Sequence, residues 1–361
     1  MRRRATGALA LLVLTGLGGV ITTSPASAAT LACGQTITQS TTLENDVGPC
    51  SNFGIIVGAD GITLDLNGHR VFGTPGPSSD GAGVYLLNRT GVTVTNGTVS
   101  DFSIGVAIDG GSGNTVTAIT ARDNIGGAGD IGGDGIAILA SRGNQVTGNS
   151  TVDNGPFSGI GLYSRRDSDH PGTPGVARDN VISGNQVVGN IIGRDRSTPT
   201  GTDNDGIRLE NDAAFNTITD NLVARNGLDG ISLFADTSDN VVRANSVQGN
   251  GFYRTTARRG DGIIVFNRST RNVVDSNLVT GNADSGIEVR GPVGTNAGAT
   301  RNRIVNNTAV DNSALPFIPS AVFGPSFDLK DGNPGCDANV WSGNRYRTFN
   351  QPCVTTGGQQ V

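Results

Sequence analysis

Asn216–Asn226 reads NTITDNLVARN, and Asn240–Asn250 reads NVVRANSVQGN. Both fit N-x-V/I-x-x-N-x-V/A-x-x-N. The same eleven-residue pattern recurs in full from Asn144, Asn180, Asn272 and Asn302, and a further copy from Asn114 carries Ile119 at its middle Asn. A second word, D/S-G-I, follows most copies, at Asp134, Ser158, Asp205, Asp229, Asp261 and Ser285. Its glycines Gly206, Gly230, Gly262 and Gly286 are 24, 32 and 24 residues apart. Repeats of this length are the signature of a solenoid. The short spacing is one coil, and the long one is a coil with an inserted loop.

Within a coil, apolar and polar residues alternate over only a few positions, a period of two that marks very short strands. Asn and Gly punctuate them, and both tolerate positive φ. Three short strands and three turns per coil give an all-β, single-domain parallel β-helix. In such a stack each Asn lies over its counterpart at roughly 4.8 Å, so the carboxamides can hydrogen-bond up and down the column. Val, Ile and Leu fill the interior. With 55 Gly and 5% aromatic residues, the composition suits a narrow bore better than a thick globular core.

The ends differ. Arg2, Arg3 and Arg4 precede an apolar run from Ala8 to Ile21 and the small residues Ala26-Ser27-Ala28. This is the layout of a secretory signal peptide over 1–28. No other long apolar stretch follows, so no membrane span is expected, and the protein is read as secreted and extracellular. Four cysteines allow three pairings. Pairing by proximity gives Cys33–Cys50 and Cys336–Cys353, one staple at each end, as suits an oxidising exterior. A zinc site is the alternative, although there is no C-x-x-C. The expected organisation is an N-terminal cap over 29–60, β-helix repeats over 61–312, and a C-terminal cap over 313–361 with Thr355–Val361 as a disordered tail. Net charge is −5, and more acidic still without the three leader arginines. That argues against a nucleic-acid partner. A monomer is expected.

The words LDLNGH (Leu64 to His69), N-x-V/I-x-x-N and D-G-I resemble the right-handed parallel β-helix repeat proteins of the pectate-lyase-like superfamily. Within it, the likeness is to secreted bacterial repeats related to copper-maturation and carbohydrate-binding solenoids, over roughly residues 55–312. The resemblance implies an extracellular polysaccharide as partner, with polysaccharide lyase or C5-epimerase chemistry on an acidic glycan as the enzymatic option. A non-catalytic structural or cell-surface solenoid is the rival, and an enzyme acting on a small secondary metabolite a third possibility. The epimerases spell their catalytic strand D-G-F-D-P-H. Here Asp205 and Gly206 match, and Ile207-Arg208-Leu209-Glu210 replaces the rest.

Alternation predicts the site. If Ile207 and Leu209 point inward, Arg208 and Glu210 point outward. The same parity brings Tyr163, Phe234, Phe266, Glu288 and Arg290 to that face, as an exposed aromatic and charged patch of the kind that marks binding surfaces. In lyase or epimerase chemistry a base removes a proton beside a uronate carboxylate while cations stabilise the charge that develops. Tyr163, Arg208, Glu210 and the loop residue His170 are the catalytic candidates. Phe234, Phe266, Glu288, Arg290, Arg254 and Arg258 are the substrate-binding candidates. Asp205, Asp229 and Asp261 are read first as local turn caps, and alternatively as ligands of Ca2+. No cofactor is required.

Overall fold

A computed structural model describes residues 27–76, 81–127, 132–165, 175–191, 204–252, 260–314 and 324–361. Parallel strands of mostly three residues stack coil upon coil into one 11-stranded sheet and one 22-stranded sheet. The only helical segments among the described residues are two 3-10 turns, Pro334–Cys336 and Pro352–Thr355. The expected parallel β-helix is the fold.

Register follows the repeat. In the 11-stranded sheet Ile207, Ile231, Ile263, Ile287 and Leu329 align in one column. In the larger sheet Val146, Ile182, Ile218, Val242, Val274 and Ile304 form another, which Trp341 closes. All of these side chains are buried. Branched aliphatics fit because each column meets its own kind one coil away, and the bulkier Trp341 and Tyr346 stand in the coil that precedes the turn Pro352–Thr355.

The Asn words form buried ladders. The backbone N–H and Nδ2 of Asn216 both donate to Oδ1 of Asn240, at 2.9 and 3.0 Å, and Nδ2 also donates to the Ala177 carbonyl at 2.9 Å. Asn221 and Asn226 do the same one and two turns on. The left-handed backbone falls on the residue before each Asn, as at Asp239 (φ 59°) and Ala244 (φ 54°). Asn is therefore there for its carboxamide, and the preceding position takes the turn. Ile119 is tolerated because its coil stands near the ladder's start: only its backbone N–H is needed, and that donates to Asn149 at 2.9 Å.

Both disulfides, Cys33–Cys50 and Cys336–Cys353, form as the proximity pairing expected. Most of the leader lies outside the described residues, but Ser27–Ala29 pairs with Thr41–Leu43. The segment 29–60 already holds strands in register with the following coil. Thr355–Val361 is not a disordered tail: Gln359–Gln360 pairs with Arg345–Tyr346, and Val361 donates to the Tyr346 carbonyl at 2.9 Å. Within the described residues no helix is long and apolar enough to cross a membrane.

The ladder sets a prediction. Asn221→Ala leaves two donors of Asn185 and the Ile182 carbonyl without their partner. At about 1–3 kcal/mol per buried unsatisfied group, the loss should exceed about 3 kcal/mol in chemical denaturation. Exposed Gln186→Ala, on the neighbouring strand, should stay within about 0.5 kcal/mol. Equal midpoints for the two variants would refute the ladder's role.

Candidate functional site

The parity expected for the D-G-I strand holds. Ile207 and Leu209 face the bore. Outward, Gly161, Arg208, Ser232, Ile264, Glu288 and Lys330 align in one column. Leu139, Tyr163 and Glu210 align in the next. Phe234, Phe266 and Arg290 each lie one residue beyond their coil's strand on the same side.

The patch is not exposed in the way alternation alone suggested. Arg208, Glu288, Arg290 and Tyr163 retain only 6, 1, 5 and 5% of their accessible surface, while Phe234 and Phe266 stay half-buried. The charges satisfy one another. Arg208 donates through Nη1 to Asp205 at 3.0 Å and through Nε to Glu210 at 2.7 Å. Arg290 donates through Nε to Glu288 at 2.9 Å and through Nη2 to Asp261 at 3.2 Å. Lys330 sits 3.3 Å from Glu288. The two guanidinium groups lie 4.8 and 4.9 Å from the ring centres of Phe234 and Phe266, whose own centres are 5.2 Å apart with the planes tilted by 43°. Burial alone would raise the Glu288 carboxyl, but Arg290 and Lys330 outweigh it and hold it below its ordinary value. Asp261, wholly buried and crowded by Glu288, is pushed well up.

The aspartates before each glycine are not local turn caps. Asp205 accepts the Asp229 backbone N–H at 3.0 Å, Asp229 that of Asp261 at 2.7 Å, and Asp261 that of Ser285 at 2.9 Å. They form a ladder between coils. The alternative Ca2+ reading of Asp205, Asp229 and Asp261 meets the same fact, since these oxygens face amides and Asp205 and Asp261 also face guanidinium groups. No cluster of three or more His, Cys, Asp or Glu side chains converges among the described residues.

Two clusters escaped the sequence reading. Tyr163 turns back over its own strand and donates to Asp134 at 2.9 Å, with Ser158 Oγ at 3.1 Å. Gly161 makes the room: a Cβ there would lie 2.3 Å from the Tyr163 ring. The signal was present, since Ser158 replaces the usual Asp and Gly161 is the one glycine in its column. Burial, with Asp134 beside it, holds the Tyr163 phenol well above its ordinary value, and burial pushes Asp134 up to about 6. The second cluster is Arg165, which grips Asp109 with both terminal nitrogens while Tyr85 donates to the same carboxylate at 3.0 Å. Strand alternation says nothing of Arg165, which lies two residues beyond Tyr163. In the structure a pair of backbone bonds with Gly175 pins it at the loop base, and the side chain reaches back two coils.

Between these clusters lies a recess of about 190 Å³, lined by Leu139, Phe157, Tyr163, Ser164, Arg165, Glu210 and Asn211. Tyr163 and Glu210 thus meet at one recess, while Arg208 lies buried behind Glu210. His170, Arg254 and Arg258 lie outside the described residues. The raised Asp134 acid makes the fold pH-sensitive. A native value of about 6 against an ordinary 3.8 means that its stabilising contribution is full at low pH and falls as pH rises between those values. Asp134→Asn should flatten that fall and be stabler than the natural chain above pH 6, by up to about 3 kcal/mol. A denaturation midpoint that rises across the same interval would refute this.

Comparison with known proteins places the fold. A variant of the periplasmic alginate epimerase AlgG is similar at TM-score 0.50 and 14% identity, over 84% of this chain and 73% of that one. Pectate lyase Pel9A is similar at TM-score 0.50 and 12% identity, over 83% and 71%. At such identities the likeness is one of fold. No curated protein sequence matches. Residues 194–351 match the family described as right handed beta helix region. Residues 62–253, more than half of the chain, match the family described as periplasmic copper-binding protein (NosD), and the chain belongs to that family.

Proposed function

We propose that this protein is an exported polysaccharide-binding solenoid that holds its ligand on the outer face of the 11-stranded sheet without cleaving it. The observation that carries the reading is the neighbouring pair Phe234 and Phe266, tilted to each other by 43° and half-buried at the surface while the ionisable side chains around them are paired off. Two rings on successive coils offer an apolar platform at the coil repeat, and the flat face of a sugar ring suits such a platform. The alginate epimerase and the pectate lyase that share the fold lend support, since their names state a polysaccharide substrate.

Binding is favoured over elimination or epimerisation by the state of Tyr163. A base must shed its proton near the working pH. Burial and the Asp134 carboxylate both oppose that here, and the phenol O–H, still on Tyr163, already donates to Asp134. Arg208 and Arg290, the cations expected to steady a uronate's developing charge, spend their donors on Asp205, Glu210, Glu288 and Asp261.

The family's description raises copper. A protein copper site draws on thiolate, thioether or imidazole donors. This chain has one Met, at position 1, and two His. All four Cys are spent in disulfides, and His69 lies 3.3 Å from Asp46. These residues do not fit a copper site.

The test uses purified mature protein and a panel of soluble neutral and acidic polysaccharides, with retardation in affinity electrophoresis as the readout. Phe234→Ala with Phe266→Ala should weaken retention by about tenfold, some 1.4 kcal/mol in binding. The reading fails if retention is unchanged. It also fails if uronate polymers gain unsaturated, ultraviolet-absorbing ends in a reaction that Tyr163→Phe abolishes.

A further inference from the structure

The recess beside Tyr163 has a chemistry of its own. Its walls are Leu139, Phe157 and the Tyr163 ring, its charged groups are Arg165 and Glu210, and Ser164 and Asn211 complete the lining. Both charges are already neutralised. Asp109 takes the two terminal nitrogens of Arg165, and Arg208 donates to Glu210. One group remains over: Nε of Arg165 is buried without a hydrogen-bond partner, in a side chain only 6% exposed. An orphaned buried donor is costly, and native proteins seldom leave one without a reason.

From this we infer that the recess binds one neutral, hydroxyl-bearing pyranose ring in preference to a uronate, a subsite that rests on the polysaccharide-binding reading and narrows it. A ring hydroxyl can donate to Glu210, which is partly open to solvent, and a second can accept from the Arg165 Nε–H once the side chains that now close it off shift. The apolar face of the ring meets Leu139, Phe157 and Tyr163. A carboxylate finds no unneutralised cation here and meets Glu210 and Asp109 as like charges. The volume, about 190 Å³, is below the roughly 300–1,000 Å³ of sites for drug-sized ligands, which suits a single ring.

The experiment is saturation-transfer NMR on the mature protein. The probes are matched pairs, namely the methyl glycosides of glucose, galactose and mannose and the three uronates that differ from them only at C6. At least one neutral glycoside should give ring-proton transfer and bind several-fold more tightly than its uronate. Leu139→Trp, which fills the recess, should abolish the signal with the thermal midpoint kept. Arg165→Lys, which retains the charge and loses the Nε–H, should weaken it. A uronate that binds more tightly than its neutral partner overturns the preference. Polysaccharide retention that survives in Leu139→Trp, with no glycoside signal in the natural chain, overturns the recess and leaves the Phe234–Phe266 platform standing. Loss of both overturns both.

Discussion

The buried side-chain amide holds this fold together. A coil built from three-residue strands makes few backbone bonds to its neighbour, and its turns leave N–H and C=O groups inside with nothing to bond. Each Asn closes that gap by accepting two donors from one coil and giving its own hydrogens to others, as Asn221 does with Asn185, Ile182 and Asn245. Only a carboxamide both accepts and donates in this way. A slip of one residue would break the three ladders together, so register is fixed by polar matching inside the turns as well as by the aliphatic columns. Loops can then be inserted between coils, because what stacks are the rungs.

The same device, with one atom changed, builds the functional face. At the D-G-I turn the ladder residue is Asp, whose Oδ1 accepts an amide from the following coil, where Asn Oδ1 accepts from the preceding one. The second oxygen is now another acceptor where Asn would carry an NH2, so it recruits a cation: Arg208 at Asp205 and Arg290 at Asp261. Those guanidinium groups then reach Glu210 and Glu288 and lie against Phe234 and Phe266. Buried charges are tolerable only when paired and hydrogen-bonded, which accounts for the closeness of the network. The face thus inherits its charges from the ladder, and they are spent on structure before any ligand arrives.

Sequence made the fold legible because its two signals, the period of two and the coil repeat, are strict. Parity alone brought Tyr163, Arg208, Glu210, Glu288 and Arg290 to one side of one sheet. It did not reveal their burial, because parity gives a direction and says nothing of what fills the space beyond. The partners of Arg208 are two and three residues away in sequence, yet the Asp205 carboxylate reads as a turn cap until the next coil is stacked on it. Arg165 was illegible for another reason: its partner, Asp109, lies 56 residues away, across a distance that only the assembled coils collapse. The positive φ read into Asn belongs to its predecessor, an inference made from residue preference where ladder chemistry decided.

Ser158 and Gly161 show what happens where the repeat is broken. Ser158 takes the ladder position without a carboxylate; its backbone N–H still serves Asp134, and Ser158 Oγ and Tyr163 add their hydroxyls to the same carboxylate. Gly161 withdraws the side chain that would stand under the Tyr163 ring. Two small departures from the consensus therefore draw one aromatic down onto the sheet and leave space beside it. A solenoid of identical coils would present a uniform ridge. The recess lies where two residues depart from the repeat, so the one irregular feature of this face follows from the same ladder that makes the rest of it regular.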